Sequence, residues 1–188
     1  MDIEAIRRGA ETPVQAGPAD LEEVARTLAD AFAVDPHFDW FMRDDAKRDA
    51  ARLTLFRGII GRLTYPDGRI DRPAGGGAAA VWLPSSSLGG HTPLLQELRT
   101  LPIVLQFTGL ARFGRLLAIR EDMEKHHPLD RPHQYLNFLG VAPRAQGRGV
   151  GSSLLRAPMR GSTPRTCQPI WRPGPPETSP STSATASR

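Results

Sequence analysis

The 188-residue chain has a single cysteine and no long uninterrupted apolar run. Cys167 has no second cysteine with which to form an internal disulfide, so a reducing cytoplasm is the expected compartment. No apolar stretch approaches the roughly 18 residues of a membrane span, and the N-terminus lacks the basic-then-apolar pattern of a secretory signal. We therefore expect a cytoplasmic protein with no membrane partner.

The excess of positive charge is concentrated at the C-terminal end. The formal net charge is +4. Residues 157–188 contribute +3 of it (4 − 1), from Arg160, Arg165, Arg172 and Arg188 against Glu177. Because the rest of the chain is close to neutral, a basic face for nucleic acid is not supported. At this length one domain with its own core is expected.

The first half of the chain alternates strand-like and helical patterns, which predicts an α/β domain. Ile3–Arg8 fits a first strand. From Leu21 to Phe32 the apolar residues recur at helical spacing, and Pro18 suits the first turn. Asp35-Pro36 ends that pattern.

A second helix is expected to begin after Asp44 or Asp45 and to end at the turn Pro66-Asp67-Gly68. Its apolar face would hold Leu53, Phe56, Ile60 and Leu63. The elements predicted next are strands at Arg69–Arg72 and Ala78–Leu83, a loop at Pro84–Pro93, and helices at Leu94–Phe107 and Ala111–Lys125. Gly109 is the expected break between the two helices.

The clearest functional signal is a glycine-rich loop between a strand and a helix. The apolar run Tyr135–Val141 predicts the strand, the loop holds Gly147, Gly149 and Gly151, and Ser152 opens the helix. Such a loop presents unpaired main-chain N–H groups at the positive end of a helix dipole, which suits a diphosphate. The loop lacks the Gly-Lys-Ser/Thr of a Walker motif and the spacing of a dinucleotide fingerprint. The alternative is a purely structural turn.

This loop resembles the acetyl-CoA loop of the GNAT superfamily of N-acetyltransferases, Gln/Arg-x-x-Gly-x-Gly/Ala. The matching residues are Gln146-Gly147-Arg148-Gly149-Val150-Gly151, preceded by Leu139-Gly140-Val141 and Pro143. Three further segments resemble the branch that includes puromycin N-acetyltransferase: Leu21–Pro36, Ala79–Pro84 and His127–Val141. The resemblance implies a GNAT domain over residues 1–156, with a mixed, mostly antiparallel sheet and helices on both faces.

The resemblance also implies a reaction and a set of contacts. Acetyl-CoA would be the cosubstrate, and a primary amine of a small molecule or peptide would attack its thioester. Main-chain groups of Leu139, Gly140 and Val141 would pair with the pantetheine arm. Seven consecutive main-chain N–H groups would surround the diphosphate, those of Gln146, Gly147, Arg148, Gly149, Val150, Gly151 and Ser152. No metal is implied, and the acceptor and oligomeric state stay open.

Acetyl transfer needs a general base, and the sequence does not identify one. His133, just before the central strand, is a candidate, with a structural role as its alternative. Further candidates are Glu124, His126 and His127. The resemblance places an acceptor pocket near Asp35, Trp40 and Phe41, for which a helix cap and core packing are the alternatives.

Residues 157–188 no longer resemble the family, because they are rich in Pro, Ser, Thr and Arg. Such a segment buries too little apolar surface to offset its ordering entropy, so one explanation is a disordered tail. The other is a frameshift near Pro158–Gly161. The genetic code permits codons for Gly161–Ser187 that, when translated in a shifted reading frame, encode the peptide LDAEDLPAYLEAWTPRNVPLYERHGF. This peptide resembles the family's next strand, its Tyr-Glu-Arg helix and its His-Gly-Phe strand.

A frameshift would remove the family's fifth strand and its usual general acid, the tyrosine of Tyr-Glu-Arg. The C-terminal strands and helix of the fold are therefore expected to be missing. Two functions stay open: an acetyl-CoA-dependent N-acetyltransferase, and a non-catalytic remnant that at most binds CoA.

Overall fold

A four-stranded antiparallel sheet forms the centre of the fold, in a computed structural model that describes residues 2–65, 67–87, 94–126 and 133–161. The strands are β1 (Val14–Gln15), β2 (Arg69–Arg72), β3 (Ala78–Pro84) and β4 (Gln134–Val141), in the spatial order β1-β2-β3-β4. All three pairings are antiparallel. The helices are α1 (Ile3–Glu11), α2 (Leu21–Ala31), α3 (Pro36–Phe41), α4 (Arg48–Gly58), α5 (Leu94–His126) and α6 (Val150–Gly161).

Helices cover both faces of the sheet, as predicted. On one face the larger core packs α2, α3, α4 and part of α5 against Ile70, Ala79 and Val81. Phe138 of β4 joins this core through an edge-on contact with Phe56, with ring centroids 5.4 Å apart. On the opposite face a smaller core joins α1 and α6; its buried members are Ile6, Ala10, Ala78, Ala80, Ala145, Val150 and Leu154.

The N-terminal strand predicted at Ile3–Arg8 is wrong, because this segment belongs to α1. The Asp2 side chain caps the helix by accepting a hydrogen bond from the main-chain N–H of Glu4 at 3.2 Å. Ile6 and Ala10, four residues apart, form one buried stripe, which is helical spacing rather than the alternation of a strand. The first strand is instead Val14–Gln15.

The second predicted helix exists, but its start and its apolar face differ from the prediction. The helix α4 begins at Arg48, and Asp45 lies one turn earlier, where its carboxylate accepts from the N–H of Lys47 at 3.0 Å. Residues Ile59–Thr64 continue it as a π-helix, shown by the bond from Tyr65 N–H to the Ile60 carbonyl at 2.9 Å. The wider turn rotates Leu63 out of the core, so its side chain is 50% exposed.

The strands around the glycine-rich turn were predicted correctly, with β3 running one residue further, to Pro84. A short 3₁₀ turn occupies Ser85–Ser87, and the rest of the predicted loop, residues 88–93, lies outside the described residues. The short helix α3 was not predicted; it begins directly after Asp35, whose carboxylate accepts from the N–H groups of His37 and Phe38.

The predicted break at Gly109 is confirmed, since this residue interrupts α5 with φ 64° and ψ 175°. Arg43 satisfies two carbonyls beside the break: its main-chain N–H donates to Phe107 and its guanidinium to Gln106, each at 2.8 Å.

By length and composition, Leu101–Asp122 could cross a membrane, but Gly109 interrupts the helix within it. The expected lack of a membrane partner stays a prediction.

Candidate functional site

The glycine loop lies between β4 and α6, as the sequence indicated. After Val141 the chain makes a 3₁₀ turn at Pro143–Ala145, and α6 begins at Val150. Gly147 and Gly149 have positive φ angles of 72° and 76°, a backbone conformation that favours glycine. A Cβ built at either position would meet no atom within 4 Å, so the space beside this backbone is open.

The main-chain N–H groups of this loop are the feature that a ligand would meet. From Gly147 to Ser152, no main-chain N–H donates a hydrogen bond to any acceptor among the described residues. The N–H of Gln146 differs, because it donates to the Pro143 carbonyl at 3.3 Å. Consecutive unpaired donors at the N-terminus of a helix form a concentrated site for an anion.

Gln146 contributes its side chain to the loop itself. Its Nε2 donates to the main-chain carbonyl of Val141 at 2.9 Å. This bond ties the loop to the end of β4, a role that the sequence pattern did not specify. At Gly151 a Cβ would lie 3.5 Å from side-chain atoms of Leu139 and Val141, an ordinary van der Waals distance, so this position has room for an alanine.

The strand β4 presents one edge that pairs with no described strand. On the other edge, which faces β3, the N–H of Ala142 donates to the Gly77 carbonyl at 2.9 Å. Because peptide groups alternate along an antiparallel strand, those of Gly140 also face β3, whereas those of Leu139 and Val141 face the outer edge. A Cβ at Gly140 would lie 2.6 Å from Leu28 Cδ2, so this glycine allows α2 to approach the strand closely.

A bulge interrupts the pairing of β4 with β3 near its middle. Val81 pairs with Phe138 and Trp82 with Leu136, so Asn137 has no partner residue on β3. An extra residue of this kind locally increases the twist of the strand and changes the direction of its peptide groups. The bulge lies between the glycine loop and the start of β4.

His133 is held at the opposite end of β4 from the loop. Its main-chain N–H donates to Ser85 Oγ at 3.1 Å, and its carbonyl accepts from the Ser85 N–H at 2.9 Å. The residue is half-buried. It lies about 26 Å along the strand from Val141, at about 3.3 Å per residue. The side chains of the other candidates, Glu124, His126 and His127, lie outside the described residues.

The residues expected near an acceptor pocket also have structural roles. Asp35 caps α3, and Phe41 is buried in the larger core. Trp40 is 46% exposed, and the Arg115 guanidinium lies 5.7 Å from the centre of its ring, a cation–π contact. Of these three residues, Trp40 is the most exposed, whereas Asp35 is partly exposed and Phe41 is buried.

The clearest pKa shifts of the carboxylates belong to ion pairs on the side of the larger core. Hydrogen bonds from Arg57, followed by those from Arg26, lower the pKa of Glu22 to about 2. A hydrogen bond from Arg43 likewise lowers the pKa of Asp45 to about 2. These pairs join α2 to α4 and fix the chain between α3 and α4, so they belong to the scaffold rather than to the loop.

No family model and no curated protein matches the sequence. Among solved structures, the chain is similar to one described as histone acetyltransferase HPA2 and related acetyltransferase, from Corynebacterium glutamicum. The two share 25% sequence identity with a TM-score of 0.56, over 79% of this chain and 69% of the other. The chain therefore has a GNAT-type fold, and the likeness supports a place in the GNAT superfamily and an acetyltransferase function.

Proposed function

We propose that the chain binds acetyl-CoA at the glycine loop and transfers the acetyl group to a primary amine of a small molecule or peptide. The observation that carries this proposal is the run of unpaired N–H groups from Gly147 to Ser152, at the N-terminus of α6 and beside the outer edge of β4. An anionic group and an extended chain can be bound side by side there.

The loop provides the site for the diphosphate. Its N–H groups can donate to several phosphate oxygens at once, and the dipole of α6 favours negative charge at the same place. The positive φ angles of Gly147 and Gly149 give the loop its shape, and the missing side chains keep the main chain accessible. The Gln146 side chain holds the loop against the end of β4 through its hydrogen bond to the Val141 carbonyl.

The outer edge of β4 provides the site for the pantetheine arm. Its two amide groups can pair with the outward-facing peptide groups of Leu139 and Val141 as an added strand would. Gly140, also expected to contact the arm, contributes indirectly, because its peptide groups face β3. The arm would then run from the loop towards the bulge at Asn137, which gives the thioester a place near the middle of the strand.

The reaction forms a bond between the amine nitrogen and the acetyl carbon, and it breaks the bond from that carbon to sulfur. A base must remove a proton from the amine, and the departing thiolate must gain one. His133 is the candidate base, and it lies at the end of β4 away from the loop. The described residues supply no group that we assign as the general acid.

The composition of residues 157–188 favours a second candidate, a remnant that binds CoA without catalysis. We propose that these residues result from a frameshift near Pro158–Gly161 in a GNAT gene of the puromycin N-acetyltransferase branch. The helix α6 runs to Gly161, past the predicted domain boundary at residue 156. Sequencing the coding DNA tests this proposal: codons that cannot encode the family-like product in the shifted frame would refute it.

A binding measurement followed by a turnover measurement separates the two functions. Calorimetry with acetyl-CoA tests the loop, and thiol release with a panel of amines, puromycin and small peptides included, tests transfer. Binding with turnover supports the enzyme, and binding without turnover supports the remnant. An absence of binding would refute both. We further propose a cytoplasmic location with no nucleic-acid or membrane partner.

A further inference from the structure

The chain around the glycine loop carries positive charge without any negative charge. Residues 133–161 include no aspartate or glutamate, but they include four arginines: Arg144, Arg148, Arg156 and Arg160. Among the described residues, Arg144, Arg148 and Arg156 form no ion pair and no side-chain hydrogen bond. Arg144 and Arg148 are exposed on the loop itself.

Arginines on the other side of the sheet are mostly neutralised. Arg57 pairs with Glu22 at 2.6 Å, Arg72 pairs with Asp20 at 2.9 Å, and Arg112 pairs with Asp44. The unpaired cations are therefore concentrated on the layer formed by α1, the loop and α6, with Arg62 as a further unpaired arginine elsewhere in the described chain.

The N-terminal helix adds two arginines to this layer. Ile6 and Ala10 of α1 pack in one cluster with Ala145, Val150 and Leu154, so the helix contacts both the 3₁₀ turn at Pro143–Ala145 and α6. Arg7 and Arg8 follow Ile6 directly, are exposed, and form no ion pair among the described residues. Glu4 and Glu11 share the exposed side of α1 but pair with neither arginine.

The packing of α1 distinguishes Arg7 from Arg8. A Cβ at Gly9 would lie 3.1 Å from Pro73 Cβ, so this side of the helix faces the turn between β2 and β3. At about 100° per residue, Arg7 lies about 160° around the helix axis from Gly9 and about 60° from Ala10, so it borders the buried stripe on the side away from Gly9. Arg8 lies about 160° from Ala10, so it points away from the sheet.

We infer that Arg7 and Arg144 form a subsite for a phosphate monoester dianion, the 3′-phosphate on the ribose of CoA, separate from the loop amides. This inference rests on the proposed function. A guanidinium offers two parallel N–H donors to phosphate oxygens, and both side chains are uncommitted. Arg144 lies in the turn that α1 contacts, and Arg7 borders the stripe by which α1 packs against this turn and α6. The N-terminal helix thus has a binding role in addition to covering the smaller core.

Calorimetry with CoA and with 3′-dephospho-CoA tests the subsite, because the two ligands differ only in that phosphate. We expect the full chain to bind CoA about tenfold more tightly, the size of effect given by charge-assisted hydrogen bonds. Arg7→Gln and Arg144→Gln should each remove most of this preference, while the affinity for dephospho-CoA stays within about twofold of the unsubstituted chain.

Arg8→Gln is the matched control, because it removes the same charge from the neighbouring position on the outer side of α1. It should preserve the preference for CoA. Equal affinity of the unsubstituted chain for the two ligands, or an equal loss of preference in Arg7→Gln and Arg8→Gln, would overturn the subsite and leave the proposed function standing. If neither ligand binds, the proposed function fails and the subsite with it. Unchanged thermal unfolding of the variants establishes that each is folded.

Discussion

The side-chain amide of Gln146 donates a hydrogen bond to the main-chain carbonyl of Val141 at 2.9 Å, which joins the loop to the last residue of β4. The two proposed binding elements, the loop amides and the strand edge, are therefore held together by one side chain. A ligand that uses both elements depends on their relative position, because its own length is fixed.

Replacement of Gln146 should weaken acetyl-CoA binding. Gln146→Ala removes one hydrogen bond worth about 0.5–1.5 kcal/mol, so a loss of affinity of a few-fold is expected. Gln146→Glu should cost more, about tenfold, because a carboxylate opposes both the Val141 carbonyl and the diphosphate. Calorimetry measures both variants. Gln15→Glu, the same charge change on β1, is the control, and equal effects of the two glutamates would contradict the role of Gln146.

Two glycines of the loop should respond differently to alanine. Gly149 has φ 76°, so Gly149→Ala forces an L-residue into a left-handed conformation at a cost of about 1–2 kcal/mol. Gly151 lies in α6 with room for a Cβ, so Gly151→Ala should be neutral or stabilising by up to about 1 kcal/mol. Urea denaturation compares the two variants. Similar losses of stability in both would show that the backbone at Gly149 is not constrained as described.

The parts of the fold that were predicted correctly have strong local signals. The strand β4 differs from the predicted Tyr135–Val141 by one residue, and Gly109 interrupts α5 where expected, because apolar runs and isolated glycines act locally. The helix α1 was missed because it is short and depends on packing of Ile6 and Ala10 against distant residues. Leu63 was misplaced because sequence periodicity assumes an α-helical turn, and this segment is a π-helix.

The same distinction holds for the candidate site. The sequence located the loop, since its glycines and its position between a strand and a helix are local features. It could not show that the Gln146 side chain turns back to Val141, because that depends on the conformation of the loop. Nor could it show that the peptide groups of Gly140 face β3, because that depends on strand pairing. The approach of α1 to the loop likewise depends on tertiary contacts.

The ion pairs of Glu22 predict a specific dependence of stability on pH. Its pKa is lowered from the usual 4.5 to about 2, chiefly by hydrogen bonds from Arg57. A carboxylate whose pKa is lower in the folded state stabilises the fold fully above its unfolded pKa, and this contribution is lost as the pH falls through the folded pKa.

The unfolding free energy should therefore be lower in Glu22→Gln than in the unsubstituted chain at neutral pH. The difference should shrink between about pH 4.5 and pH 2 and then disappear. Denaturation with urea across this range measures it, and added salt should reduce it because the pair is exposed. Glu4→Gln removes a carboxylate without an ion pair among the described residues and serves as the control. A difference independent of pH would contradict the pairing.

The contact of Gly140 with Leu28 should make this glycine essential for the approach of α2 to β4. A Cβ at residue 140 would lie 2.6 Å from Leu28 Cδ2 and 3.2 Å from the Ala31 Cβ, so Gly140→Ala should destabilise the fold by about 1–3 kcal/mol through overpacking. Leu28→Val removes the obstructing atom, so the double variant should be more stable than the sum of the single losses predicts. Urea denaturation of the four proteins measures this coupling. Strict additivity would show that the two residues are not in contact and would contradict the close approach of α2 to β4.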